Sequence, residues 1–174
     1  MFASQFRKHL LVAALLALLV VGTTVAAPGF RVVQSHGIRL TLPAGWAPLP
    51  PASAGAVFDP KTLLVVGTHG VKARSSHCQI AAYRIPVAGA VVVVVGWDSL
   101  KYSGAKGAIQ GRAPLAKLVR VRHPSFECFN GRGAAADLVL KGKAYQVNVM
   151  VGVRASPRVI EQALAVGRSF NLSR

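Results

Sequence analysis

GAVVVVVGW, residues 89–97, sets five consecutive β-branched side chains between two glycines. A strand turns successive side chains to opposite faces, so this run has no polar face to give to water. It suits a strand covered on both sides, and hence a central one. Left unpaired, the same run is an aggregation hazard. The rest of the chain must therefore supply hydrogen-bonding neighbours on both edges and apolar layers above and below.

The C-terminal third offers both. Ala134 to Leu140 and Lys143 to Val153 read as a hairpin around Lys141-Gly142. In its second arm Tyr145, Val147, Val149, Val151 and Val153 share one face, with Gln146 and Asn148 opposite. Ser156-Pro157 is a helix start, an N-cap followed by proline at the first helical position. Val159, Ile160, Ala163, Leu164 and Val166 then form an apolar stripe to about Arg168, and Phe170 begins a short final strand. Upstream, Ile38, Leu40 and Leu42 alternate on a half-buried strand, and Leu63 to Val66 is a second. Lys117 to His123 reads as a strand with Val119 and Val121 inward and Arg120 and Arg122 outward. Pro48, Pro50 and Pro51 keep the chain irregular to about residue 61. Ser103 to Pro114 is a Gly/Lys loop, and Asn130 to Gly133 a turn. Ser76 to Tyr83 is ambiguous, readable as one or two helical turns stopped before Pro86. The fold class this predicts is α+β: a single domain with an antiparallel sheet of about six strands, a C-terminal helix packed on it, and room for one more short helix.

Two stretches carry a family resemblance. GIRLTLPAGW (residues 37–46) resembles the opening strand and Pro-x-Gly-Trp entry of the PsbP/Mog1-like exported α/β domains. AYQVNVMVGVRASPRVIEQALAVGRSF (residues 144–170) is similar to their closing strand, C-terminal helix and Ser-Phe strand. The layout also resembles secreted proteins of high-GC bacteria. The resemblance implies an antiparallel sheet sandwiched by helices, in a superfamily of mostly adaptors, assembly factors and binding domains. Its two stretches cover about a fifth of the chain, its motifs are structural, and it transfers no functional residue. Residues 47–143 match no motif.

The N-terminus reads as an address. Arg7 and Lys8 precede an unbroken apolar run from Leu10 to Val21, and Thr24-Val25-Ala26 places small side chains for cleavage after Ala26. The alternative is an uncleaved anchor over residues 10–27, a length within the roughly 17–25 residues a spanning helix needs. Either way the positive end stays inside. The expected organisation is a signal peptide or membrane anchor (1–26), a short tether (27–36) and an extracytoplasmic α+β domain (37–174). Export places Cys78 and Cys128, the two cysteines of the chain, in an oxidising compartment, where one disulfide is the simplest reading.

The chain carries 21 lysines and arginines against 5 acids, a formal charge of +16. Loss of Arg7 and Lys8 with the leader would leave +14. With 52% apolar residues the chain is not compositionally disordered; what it lacks is acid. Asp59, Asp98, Glu127, Asp137 and Glu161 are scattered singly, so no carboxylate pair signals acid/base chemistry. His69, His77, Cys78, His123 and Cys128 are metal-ligand types, but their spacing matches no zinc motif. Pro51 to Gly55 has only half of a nucleophile elbow, and Gly104 to Gly111 is not a phosphate loop. No metal, cofactor or catalytic residue is expected.

The basic residues have candidate anion-binding positions at Lys117, Arg120, Arg122, Lys141 and Lys143. Without an RNA-binding motif, helix-turn-helix or stacking platform, specific nucleic acid is not the expected partner. Anionic envelope surfaces or wall polymers fit an exported basic protein better, through general electrostatics and not a dedicated site. The competing interpretations are a solvated face that protects an edge strand and a hydrolase-like extracytoplasmic enzyme around His77, His123 and Glu127. The protein partner, if any, is not readable. The topology is testable. A reporter active only in the cytoplasm, fused after Arg174, should be silent, and full activity would refute export.

Overall fold

The computed structural model describes residues 29–52, 59–74, 77, 78, 80, 82–98, 119–121 and 129–173, with residues 119–121 as backbone only. The valine run lies in strand β7 (Ala90–Trp97), whose residues from Ala90 to Gly96 are all buried. Its neighbours are β4 (Lys61–Thr68) and β10 (Lys143–Val151), both antiparallel to it. The ladder continues outward to β3 (Trp46–Leu49) beyond β4 and to β9 (Gly131–Leu140) beyond β10. On the far side of β9 a three-residue strand, β8 (Val119–Val121), pairs at the edge.

Alternation splits the valines between two cores. Val92 and Val94 join Leu64, Val66, Leu138, Val147 and Val149 on one face. Val91, Val93 and Val95 join Val65, Tyr83, Cys78 and Met150 on the other. All five are fully buried, each burial stabilising by about 1.5–3 kcal/mol as an upper figure. The first face is covered by helix α1 (Pro157–Arg168) and a second sheet. That sheet has the order β1 (Arg31–Ser35), β2 (Ile38–Leu42), β11 (Asn171–Leu172). The second face is covered by Cys78, Ile80, Ala82 and a ribbon of β5 (Lys72–Ala73) with β6 (Tyr83–Arg84).

Local chemistry explains the elements. Ser156 caps α1 by accepting a hydrogen bond from the Val159 amide at 3.3 Å, with Pro157 following as expected. Ala163, Leu164 and Val166 are its buried stripe. Ile38, Leu40 and Leu42 are fully buried along β2. Tyr145 and Phe170 lock the C-terminal end of the helix to β10, with ring centroids 5.4 Å apart. Leu63, the extra residue at a register shift in β4, lies over Gly96. Among the described residues one polar side chain is fully buried: Asn148, which faces Val93 across the ladder and donates to its carbonyl at 3.5 Å.

The architecture is α+β, mostly antiparallel sheet with one C-terminal helix. The expectation of one sheet of about six strands is corrected. Five strands of four residues or more make the principal sheet, a short β8 borders it, and further strands form the second sheet and the ribbon. The reading of 27–36 as a tether missed β1, which is paired along its whole length with β2. The proline-rich stretch holds β3, possible because Pro48 lies on an edge strand and withholds no inner hydrogen bond. Tyr83–Arg84 is strand, and among the described residues of 76–83 there is no helical turn. The turn expected at Asn130 to Gly133 is already β9 from Gly131. Val153 leaves the buried face of its strand and is 76% exposed, because β10 stops at Val151. The Ser103 to Pro114 loop and residues 1–28 lie outside the described residues.

The end of β10 is fixed by backbone contact. The Gly152 amide donates to Gly89 at 2.8 Å and the Arg154 amide to Val87 at 2.7 Å. A side chain at 152 would place its Cβ 2.1 Å from the Pro86 carbonyl oxygen and 2.5 Å from that of Val87. Gly152→Ala should therefore destabilise by at least the about 1–3 kcal/mol of an overpacked core, read as a lower denaturant midpoint at unchanged slope. An unchanged midpoint would show that the two turns do not meet as described.

Candidate functional site

Two hairpins end in two-residue turns, His36-Gly37 between β1 and β2 and Lys141-Gly142 between β9 and β10. In both, the two central residues lie at positive φ, 48° and 76° in the first and 48° and 73° in the second. This geometry matches the strand twist and ordinarily recruits Asn-Gly or Asp-Gly. A lysine held there costs roughly 1–2 kcal/mol relative to its ordinary conformations. His36 is compensated, its Nδ1 lying 2.7 Å from Ser35 Oγ and 3.0 Å from the Leu63 carbonyl oxygen. Lys141 is exposed and has no salt bridge among the described residues.

Lys141 borders a cavity of about 420 Å³. Its other polar walls are Arg39 of β2, Asn171 of β11 and Ser173, and its apolar walls are Leu140 and Leu172. Arg39 stands directly across from Asn171 in the β2–β11 ladder. Asn171 Oδ1 accepts the Leu172 amide at 2.8 Å. The Ser173 amide is bound to the Gly37 carbonyl at 2.8 Å. Its hydroxyl is buried and finds no hydrogen-bond partner among the described residues. No acid lines this cavity among those residues.

Two other concavities differ in character. A cleft of about 420 Å³ between the β5–β6 ribbon and the ends of β9 and β10 is lined by Arg74, Arg84 and Asn130 over a floor that includes Tyr83 and Phe129. The Tyr83 phenol oxygen accepts the Ala52 amide at 2.9 Å, and burial pushes its ionisation above the ordinary range. A groove of about 610 Å³ runs between the outer side of α1 and Phe30, Thr41 and Pro43; Glu161 on its wall pairs with Arg168.

The positions singled out from sequence are distributed unevenly. Cys78 is buried and disulfide-bonded. Cys128 lies outside the described residues, as do Lys117, Arg122, His123 and Glu127. Arg120 is placed by its backbone alone: it pairs in register with Arg132 on β9. Lys141 borders the cavity above. Lys143 is exposed; after the hydrogen bond and charge of Lys61, its charge is a lesser contribution to holding the Asp98 carboxyl pKa below the usual carboxylate range. His77 is exposed. Among the described residues no three His, Cys, Asp or Glu side chains gather as metal ligands, and no helix is long and apolar enough to cross a membrane. Arg39 and Ser173 were not singled out from sequence. Arg39 carried a faint signal, an outward arginine on an alternating strand; Ser173 carried none, since its role depends on the β2–β11 pairing. Compared with protein-family models and with curated proteins, the chain matches none.

The acids among the described residues are engaged. Asp98 Oδ2 is 2.5 Å from Lys61 Nζ, and the Asp98 amide donates to Asp59 at 3.2 Å. Asp137 accepts from Gln146 at 2.8 Å. The direct hydrogen bond from Lys61, and then its charge, hold the Asp98 carboxyl below the usual carboxylate range; the same bond raises Lys61. The depressed carboxyl contributes its stability above its unfolded pKa and loses it as pH falls through the folded value. The raised lysine does the reverse, losing its contribution as pH rises. Both groups are exposed, so the effect on stability is small. An NMR titration of Asp98 should give a midpoint below that of a model aspartate, and Lys61→Gln should move it upward. A midpoint unmoved by the substitution would show that the pair does not form in solution.

Proposed function

We propose that this protein is an exported, non-enzymatic binding module of the cell envelope, whose basic surface associates with anionic membrane or wall components. The observation that carries this reading is the state of the charges. Among the described residues the acids are taken up by Lys61, Arg168, Gln146 and the Asp98 amide. Arg39, Lys72, Arg84, Arg132 and Lys141 have no salt bridge among the described residues. Arg120 and Arg132 occupy directly opposed register positions in the β8–β9 ladder. Cationic positions on separate elements and a +16 chain favour attraction by field over recognition by shape.

Several features fit this reading. The disulfide at Cys78 suits an oxidising compartment, and we propose Cys128 as its partner. The loop so closed would hold 50 residues by sequence separation, for which chain entropy gives about 4 kcal/mol. The resemblance to PsbP/Mog1-like domains, with their adaptor and binding roles, points the same way. The residues before 29 would serve as signal peptide or anchor.

Because the anchor could itself enter lipid, the test compares anionic with neutral vesicles. The exported protein should bind anionic vesicles in excess of neutral ones at low salt. That excess should fall steeply as the Debye length contracts to about 8 Å at physiological ionic strength. Equal binding to both vesicle types at low salt would remove the envelope-surface reading.

A further inference from the structure

We propose that the cavity bordered by Arg39, Lys141, Asn171 and Ser173 is a seat for a phosphoryl oxyanion, either a free phosphate group or one carried by a larger molecule. The inference requires neither export nor the envelope reading, because it stands on the donors of one cavity.

All four polar walls can donate. Arg39 offers a planar fork and Lys141 a compact ammonium, two cations of complementary geometry for phosphate oxygens. The Asn171 side-chain oxygen accepts the Leu172 amide, and its NH2 group is the side chain's remaining donor. The Ser173 hydroxyl lies beneath this surface, buried and with no partner among the described residues, where a buried hydroxyl ordinarily has one; an anion would meet it by displacing what covers it. No carboxylate among the described lining residues opposes a negative ligand. A volume of about 420 Å³ is many times the roughly 30 Å³ share of one water, so a phosphoryl group fits together with the first atoms of its carrier. Two cations, an amide and a hydroxyl outnumber what one carboxylate can use and match a tetrahedral oxyanion with several acceptor oxygens.

Sequence distance argues for a built arrangement. The donors come from residues 39, 141, 171 and 173, brought together by the β2–β11 pairing and by the Lys141-Gly142 turn. That turn accepts a lysine at a positive-φ position where asparagine would be easier on the backbone. The lysine's charge is what asparagine would not provide.

The experiment is an NMR titration of the exported protein at constant ionic strength. The probes are inorganic phosphate, glycerol phosphate as a monoester, dimethyl phosphate as a diester, and acetate. Saturable shifts confined to the amides of Arg39, Lys141, Gly142 and Ser173, with acetate at least tenfold weaker, are expected. Lys141→Asn, which keeps the turn and should fold with an unchanged or higher thermal midpoint, should weaken phosphate binding at least tenfold. Arg39→Gln should do the same, and Ser173→Ala should weaken it several-fold. Binding by the diester would identify a polymer or lipid headgroup as the source of the phosphoryl group. Binding by inorganic phosphate or the monoester alone would identify a free or terminal phosphate. The proposal is overturned if no probe saturates, if acetate binds as well as phosphate, or if folded Lys141→Asn binds like the parent. Shifts that spread equally to Arg84 and Arg132 would also overturn it, while leaving the diffuse surface attraction intact.

Discussion

A strand without a polar face imposes a demand that the rest of the molecule answers. Each valine of β7 is fully buried, yet a single sheet face can hide only alternate residues. Two separate apolar layers are therefore obligatory, and the protein builds them by different means. On one side it uses regular structure, the capped helix and a small second sheet, which bring large aliphatic and aromatic groups onto Val92 and Val94. On the other it uses short pieces, where Tyr83 of the two-residue strand β6, Ile80 and the disulfide-bonded Cys78 cover Val91, Val93 and Val95. A ladder of two residue pairs between β5 and β6 contributes little holding of its own, and the covalent link at Cys78 adds to it on that side.

The same demand removes polar groups from the interior and leaves chemistry at the margins. Along β7, and on the buried face of β10, there is no carboxylate, lysine, arginine or histidine, and the one ionisable group is the Tyr145 phenol, whose ionisation burial pushes up. Two of the concavities with charged walls lie where strands end: at Gly152, where β10 gives way to a turn, and at the Lys141-Gly142 turn. Edges and turns are also where backbone conformation selects residue type least through packing. There a lysine can stand in for an asparagine without disturbing the core.

What could be read in advance follows the range of the forces involved. The helix from Ser156-Pro157 to Arg168, the Ile38–Leu42 strand, the Lys141-Gly142 hairpin and the central place of the valine run are local in origin. Each is set by periodicity, capping or turn chemistry within a few residues. The elements missed are held by tertiary pairing against local preference. Strand β3 keeps Pro48 because β4 pairs with it from one side only. Strand β1 has little burial of its own and exists by pairing with β2. The ribbon of β5 and β6 is four residues in all, too short for any pattern. The candidate anion positions show the same division. Lys141 was visible as a basic turn residue, whereas Arg39 and Ser173 become neighbours of it only through the β2–β11 ladder, which joins residues more than 130 apart in sequence.

That ladder has a mechanical consequence. Strand β1 enters the small sheet beside Leu42 and runs toward Ile38, while β11 runs the same way along the other edge of β2 and leaves beyond Ile38. A pull on the chain before Arg31 and a pull on the chain after Leu172 therefore act in opposite directions along one axis. Tension between the two would load the hydrogen bonds flanking β2 together, in shear, instead of peeling them one at a time. Between those two points the first structure to bear load is the small sheet, and the valine-centred core lies behind it.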